Sequence, residues 1–162
     1  MLERARHYFE RLLEAIVFVL MIALALIVVL AVIYRKAGAS LVWYDEIAEI
    51  MLAWITYYGA ALAAMRGAHI GVPAVVDLMP APLRIAAAIV AETCVIAFFL
   101  LLGWAGWHVL EVLVNDTLIS LPQVSSRVTQ SVILIGAILY VIAEVLRLPE
   151  ILRTAAAPPP KS

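Results

Sequence analysis

The residues with the clearest capacity for chemistry are acidic side chains inside or beside long apolar segments. Glu92 is the deepest, about two helical turns from Arg84 and flanked by Ala91 and Thr93. An ionisable group at that depth is costly, so Glu92 is a candidate proton or cation carboxylate. The position also suits a structural role, either paired with Arg66 or Arg84, or protonated and hydrogen-bonded to a neighbouring helix.

A second acidic group, formed by Asp45, Glu46 and Glu49, lies at the start of another apolar segment. Carboxylates at a helix amino terminus stabilise the helix dipole, which is a sufficient structural reason for them. Three acids in five residues also suit a docking patch for a partner outside the membrane. Both interpretations remain open from the sequence.

The remaining polar groups do not assemble into a catalytic or cofactor site. His108 with Glu111, and Glu144 with Arg147, are spaced for ion pairs at the membrane interface. A single cysteine, Cys94, excludes dithiol redox chemistry. We find no phosphate-binding glycine loop, no metal-spaced Cys/His cluster and no serine nucleophile motif. The sequence therefore predicts no cofactor, and an enzyme is the least favoured class.

The composition places these residues in a membrane protein. Hydrophobic residues make up 66% of the 162 positions, charged residues 14%, and the mean hydropathy is +1.07. Soluble domains are about half apolar and a quarter charged. The net charge of -1 provides no basic surface for nucleic acid, so no nucleic-acid partner is expected.

The apolar segments predict an all-α integral membrane protein with four spans, because a bilayer core of about 30 Å needs about 20 apolar helical residues. The first apolar run, Ile16 to Ile33, is too long for a signal peptide. Residues 1–150 are predicted to form one membrane domain, and residues 151–162 a polar, proline-rich cytoplasmic tail. The predicted spans are 14–34, 47–66, 84–113 and 125–147.

The distribution of basic residues predicts the orientation. Eight lysines and arginines flank the end of the spans that carries both termini, and three flank the other end. By the positive-inside rule both termini are cytoplasmic. His69 and Asp77 then lie on the cytoplasmic side and His108 near the outer side, so a haem shared by the two histidines is disfavoured.

The second span carries small residues at helical spacing, including Gly59, Ala60, Ala63 and Gly67. Small residues four apart allow helices to approach closely in lipid, where packing rather than hydrophobicity drives association. The span is therefore predicted to be packed against. The neighbour is either another span of this chain or a larger membrane partner.

The cytoplasmic end of this span carries a family signature. Trp54 is followed by Gly59-Ala60-Ala61 and then by Arg66-Gly67-Ala68-His69-Ile70. This segment resembles the hallmark of the small membrane subunit of tripartite ATP-independent periplasmic (TRAP) transporters. In the pattern of that family acidic residues precede the tryptophan, and an aspartate and a proline follow the histidine. Asp45-Glu46, Asp77 and Pro80 occupy those places.

The resemblance implies a multi-pass subunit of the bacterial inner membrane without a catalytic centre. A periplasmic substrate-binding protein would capture an organic acid, such as a carboxylate or sialic acid, and a large multi-span subunit would transport it. The small subunit would act as a scaffold and would contribute to docking the binding protein. Trp54, with the small residues of the second span, would pack against the large subunit, while Arg66, His69 and Asp77 anchor its cytoplasmic end, with Arg66 reaching lipid phosphate or a carboxylate.

Two other classes compete with this interpretation. A self-sufficient small multidrug exporter, coupled to protons through Glu92, would form a four-helix homodimer. However, the first span lacks the carboxylate that this family carries there. An anchor subunit of some other membrane complex has the same composition, and only the segment from Trp54 to Ile70 discriminates against it.

Overall fold

The computed structural model describes residues 2–67 and 79–156 and confirms the all-α, four-span fold class. The helices are α1 (Leu2–Lys36), α2 (Tyr44–Arg66), α3 (Ala81–Val112) and α4 (Ser126–Ala156). A 3-10 turn, Leu113–Asn115, follows α3, and one antiparallel bridge joins Thr117 to Ser125 in the loop before α4. Each helix has the length and apolar composition to cross a membrane.

Two of the described helices extend well beyond the spans predicted from hydropathy, both at the end of the bundle that carries the termini. The first helix begins at Leu2 rather than near residue 14, so it continues through a charged amino-terminal segment. The fourth continues through Pro149 to Ala156, into the range predicted as tail. Residues 157–162 lie outside the described part of the chain, and the division into domain and tail stays a prediction.

Local chemistry explains the ends of α2 and α3. Gly67 ends α2 in the left-handed conformation, with φ of 66°, and its N–H bonds the carbonyls of Ala63 and Ala64. Pro80 precedes α3 in an extended conformation, and Pro82 occupies the first turn, where a missing N–H costs nothing.

Helix α4 lies at the centre of the arrangement. It packs against both α2 and α3, while α1 packs against α2. The core contains one residue of α1, four small and large residues of α2, and the inner face of α4. These residues are Leu13, Tyr58, Ala61, Ala64, Met65, Val132, Tyr140 and Ala143. Glycines permit the closest approaches. A Cβ at Gly106 of α3 would lie 3.0 Å from Ile133 Cγ2, and one at Gly136 of α4 would lie 2.7 Å from Tyr57 Cβ.

The bundle has two ends with different chemistry. The termini end contains the start of α1, the end of α2 and the end of α4, while the loop end contains residues 37–43 and 113–125. Between them, α1 and α3 expose long apolar faces, with Phe18, Leu26, Phe98 and Leu101 each more than half exposed. These faces are suited to lipid or to another membrane subunit. The assignment of the termini end to the cytoplasm stays a prediction.

Candidate functional site

The polar side chains of the described helices gather in three places: the termini end, the loop end, and a buried group between α3 and α4. At the termini end, Arg66 is the last residue of α2 and binds two carboxylates of α1. Its Nε lies 2.9 Å from Glu10 Oε1 and its Nη2 lies 3.1 Å from Glu14 Oε1. Glu10 and Glu14 are four residues apart and share one helix face, so they meet one guanidinium together.

Arg147 of α4 binds the end of α2 directly. Its Nη1 donates a 2.7 Å hydrogen bond to the carbonyl of Ala64, one of the carbonyls that the end of a helix leaves without a following turn. The guanidinium lies against Gly67, where a Cβ would be 2.9 Å from Arg147 Cζ and closer still to Nη2. Gly67 is thus required both by its positive φ and by the close approach of Arg147.

Arg6 completes the termini end. Its Nη1 lies 2.6 Å from Glu150 Oε2 of α4, and its Nη2 is 3.5 Å from the carbonyl of Met65. Glu150 also lies 4.0 Å from Arg147 Nε. Arginines from three helices therefore converge on the last turn of α2. We name Arg6, Arg66, Arg147 and their partners Glu10, Glu14 and Glu150 the arginine clamp.

The arginine clamp bears on the predicted cytoplasmic anchor of Arg66, His69 and Asp77. Arg66 does pair with carboxylates, whereas His69 and Asp77 lie outside the described residues, so their role stays a prediction. Sequence reasoning missed Arg6, Glu10, Glu14 and Glu150. The four-residue spacing of Glu10 and Glu14 was the one available signal, since two acids on one face predict a basic partner.

At the loop end, Glu46 of α2 holds the loop that connects α3 to α4. Its carboxylate accepts hydrogen bonds from the N–H of Ile119 at 3.0 Å and the N–H of Ser120 at 2.9 Å, and also from the Ser120 hydroxyl. The loop is closed on itself by bonds such as Leu118 N–H to Val124 O at 3.0 Å. Glu46 therefore joins α2 to a loop more than 70 residues later in the chain.

The other two predicted docking acids differ from Glu46. The side chains of Asp45 and Glu49 are exposed, while Glu46 is half-buried beneath the loop. A docking role for Asp45, Glu46 and Glu49 stays a prediction. The structure adds that Glu46 has a role inside the chain, whereas Asp45 and Glu49 remain accessible from outside.

The predicted pair of His108 and Glu111 is confirmed near the same end. His108 Nδ1 lies 3.0 Å from Glu111 Oε2, and Trp107 Nε1 donates to Glu111 Oε1 at 2.9 Å. The ring of Trp104 packs edge-on against His108, with centroids 4.7 Å apart. One carboxylate is thus fixed by two neighbours on an exposed face of α3.

The buried group contains two carboxylates of different helices. Glu144 of α4 is 1% exposed and is hydrogen-bonded to the side chain of Tyr140, so it lies inside the bundle, while its predicted pairing with Arg147 at the membrane interface stays a prediction. Half-buried Glu92 of α3 lies within electrostatic range of Tyr140, and Arg84 is also buried. A role of Glu92 as a proton or cation carboxylate, and the alternative structural role, stay predictions.

The residues predicted to pack against a large subunit have different surroundings. Trp54 Nε1 donates a 2.9 Å hydrogen bond to the carbonyl of Thr129 on α4, so its indole is used within the chain. Ala60 packs against the core, and Gly67 meets Arg147. A Cβ at Gly59 would meet nothing within 4 Å, and Ala63, four residues later, is half-buried. The predicted packing against a partner remains a prediction for all five.

Comparison with known proteins gives the family. The profile of the tripartite ATP-independent periplasmic transporters, DctQ component, matches residues 24–154. A C4-dicarboxylate TRAP transporter small permease protein of Vibrio cholerae is 32% identical over 109 residues, covering 65% of this chain and 47% of that protein. Its namesake from Rhodobacter capsulatus is 32% identical over 66 residues, covering 41% of this chain and 24% of the relative.

The chain thus spans less than half the length of these curated relatives in the matched regions. The matched profile covers α2, α3 and nearly all of α4, together with the part of α1 that follows Leu24. This match does not favour the small multidrug exporter. The chain is therefore a multi-pass membrane protein that belongs to the DctQ component family of the tripartite ATP-independent periplasmic transporters.

Proposed function

We propose that this chain is the small membrane subunit of a TRAP-type transporter in a bacterial inner membrane, with both termini in the cytoplasm. It supports a large multi-span subunit that moves organic acids, such as carboxylates or sialic acid, delivered by a periplasmic binding protein. The family match supports this assignment, and the two relatives are named for C4-dicarboxylates. The positive-inside distribution supports the orientation.

The observation that carries the scaffold role is the use made of the polar side chains. Arg66, Arg147 and Glu46 each join two helices or a helix and a distant loop. Such contacts fix the relative positions of α1, α2 and α4. A subunit whose only role is to support a neighbour needs helices that are held in fixed positions. The apolar faces of α1 and α3 leave ample surface for the neighbour.

The contact with the large subunit is proposed on the outer face of α2. Gly59 has open space beside it, and Thr56 and Leu52 on the same face are exposed. A partner helix can approach the backbone closely there, since a glycine and the half-buried Ala63 are four residues apart. Replacing Gly59 with alanine would hinder such an approach, while the added Cβ would meet nothing of this chain within 4 Å.

The contact with the binding protein is proposed at the loop end. Asp45 and Glu49 are exposed there, and Glu46 holds the loop of residues 113–125 beside them. Asp45 and Glu49 would meet basic groups of the binding protein, whereas Glu46 would act by keeping the loop in place. Exposed charges of this kind mainly raise the association rate and make it sensitive to salt.

The test is uptake by proteoliposomes that contain the large subunit with or without this chain. With purified binding protein and a labelled C4-dicarboxylate, we expect uptake only when this chain is present. The double variant Asp45→Asn/Glu49→Gln should lower the association rate of the binding protein without loss of the membrane complex, and Glu3→Gln, which removes an exposed carboxylate at the opposite end, is the control. Equal uptake with and without this chain would refute the scaffold role.

A further inference from the structure

An apolar groove lies between the outer faces of α3 and α4. It holds about 460 Å³ and is lined by residues of both helices between Phe99 and Trp107 and between Leu134 and Ile142. Its floor is open because Gly103 has no side chain: a Cβ there would lie 3.5 Å from Ala137 Cβ. Trp104 and Trp107 form one wall and remain 65% and 53% exposed.

Helical spacing continues the two lining faces to one acidic and one basic residue beyond the loop-side end of the groove. Gly106 of α3 lies against Ile133 and Leu134 of antiparallel α4. Five residues closer to the loop end, Glu111 comes to the level of the first turn of α4, which carries Arg127. Glu111 is one heptad from Trp104, and Arg127 is one heptad before Leu134, so each charge continues the face of its helix that lines the groove.

Both side chains are accessible, and neighbouring residues fix that of Glu111. The Glu111 carboxylate, 55% exposed, is fixed by Trp107 Nε1 at 2.9 Å and His108 Nδ1 at 3.0 Å. Each oxygen thereby receives one bond and keeps a further lone pair for a ligand donor. Arg127 is exposed and carries five donors suited to phosphate. A carboxylate and a guanidinium thus flank the end of an apolar channel.

We propose that the groove binds phosphatidylethanolamine, with one acyl chain between α3 and α4, the ammonium on Glu111 and the phosphate on Arg127. The charge arrangement selects this headgroup. A primary ammonium donates hydrogen bonds to the carboxylate, a quaternary choline has no N–H to donate, and an uncharged glycerol headgroup leaves Glu111 without a cation. The two tryptophans lie where indole rings favour the headgroup level of a bilayer.

The size of the groove favours a lipid chain over a protein helix. On each helix the lining spans nine residues, about 12 Å along the helix axis. A helix of a partner subunit that crosses the bilayer extends about 30 Å. The groove covers less than half of that length, which suits part of an extended lipid chain inserted between the two helices.

The test measures which phospholipid stays bound to the purified protein. The full chain, with any subunit that copurifies, is exchanged into nanodiscs of equal parts phosphatidylethanolamine, phosphatidylglycerol and phosphatidylcholine, and bound lipid is identified by native mass spectrometry after release. We expect phosphatidylethanolamine to be retained about tenfold over the other two, as one charge-assisted hydrogen bond allows. Glu111→Gln should abolish that preference, and Gly103→Leu should reduce retention of all three lipids.

Matched controls separate the groove from general effects on the membrane face. Glu49→Gln removes an exposed carboxylate elsewhere, and Ala97→Leu places a leucine at an exposed position of α3 outside the groove; both should retain lipid like the parent protein. Equal retention of the three lipids, or a preference unchanged by Glu111→Gln, would overturn the proposal. A third result would also overturn the proposal: no lipid is retained, and Gly103→Leu loses a copurifying subunit. That result would assign the groove to a helix of another protein. The lipid preference and its response to Glu111→Gln are measured without the uptake assay, so a failure of this proposal is distinguishable from a failure of the proposed function.

Discussion

The close contact between Gly67 and Arg147 predicts a specific loss of stability on adding a single methyl group. Alanine at position 67 would have to adopt φ of 66°, which costs a residue with a side chain about 1–2 kcal/mol. Its Cβ would lie 2.9 Å from Arg147 Cζ, so the guanidinium must move. Arg147 then loses its 2.7 Å bond to the Ala64 carbonyl, a charge-assisted bond of about 1.5–3 kcal/mol.

Two other glycines separate these contributions. Gly38 also has a positive φ, 78°, but a Cβ there meets nothing within 4 Å, so Gly38→Ala should cost only the conformational part, about 1–2 kcal/mol. Gly59 is helical with open space beside it, so Gly59→Ala should stabilise the helix by up to about 1 kcal/mol. Gly67→Ala should lower the free energy of unfolding by more than either of these changes, by about 2.5–5 kcal/mol.

The assay is reversible unfolding of the purified chain in mixed micelles, followed by tryptophan fluorescence as the denaturing detergent is increased. In an Arg147→Ala background the methyl group meets no guanidinium, so Gly67→Ala should then cost about as much as Gly38→Ala. The difference between the two backgrounds measures the coupling directly. If Gly67→Ala lost the same free energy of unfolding with and without Arg147, the account of this contact would be refuted.

Two further predictions concern contacts between distant parts of the chain. Glu46→Ala should raise the hydrogen-exchange rates of the Ile119 and Ser120 amides at least about tenfold, because their acceptor is lost. Glu46→Gln should give an intermediate increase. Unchanged exchange rates would contradict the contact. Gly136→Ala should lower the free energy of unfolding by about 1–2 kcal/mol, since overpacking against Tyr57 Cβ at 2.7 Å outweighs the gain in helix propensity. A variant more stable than the parent in the micelle assay would show that α2 and α4 do not approach each other so closely.

The positions of the four helices could be predicted from the sequence because hydropathy is a local property. The start of α1 and the end of α4 could not. Helix α1 continues to Leu2 because Arg6 and Glu10 form ion pairs with residues of α4 and α2, near the carboxyl-terminal ends of those helices. A polar helical segment of this kind is stabilised by tertiary contacts, and none of these partners is near in sequence.

The roles of individual polar residues were predictable only where the partner was nearby in sequence. His108 and Glu111 are three residues apart, and their pairing was evident. For Glu46 the sequence predicts an interaction with its own helix dipole or with an external partner. Its partner in the structure, Ser120, is 74 residues away, so sequence spacing does not reveal it. Trp54 was likewise assigned to another subunit, although its indole binds the Thr129 carbonyl. Burial of Glu144 depended on how α2, α3 and α4 meet.

The central claim is that this chain works as one subunit of a larger membrane complex. The most direct test is to purify the tagged full-length chain from its native membrane in mild detergent and identify stoichiometric companions by mass. We expect a larger multi-span protein in constant ratio to the chain. Recovery of the chain alone as a stable homodimer would contradict the account and would make Glu92 the first residue to test for transport.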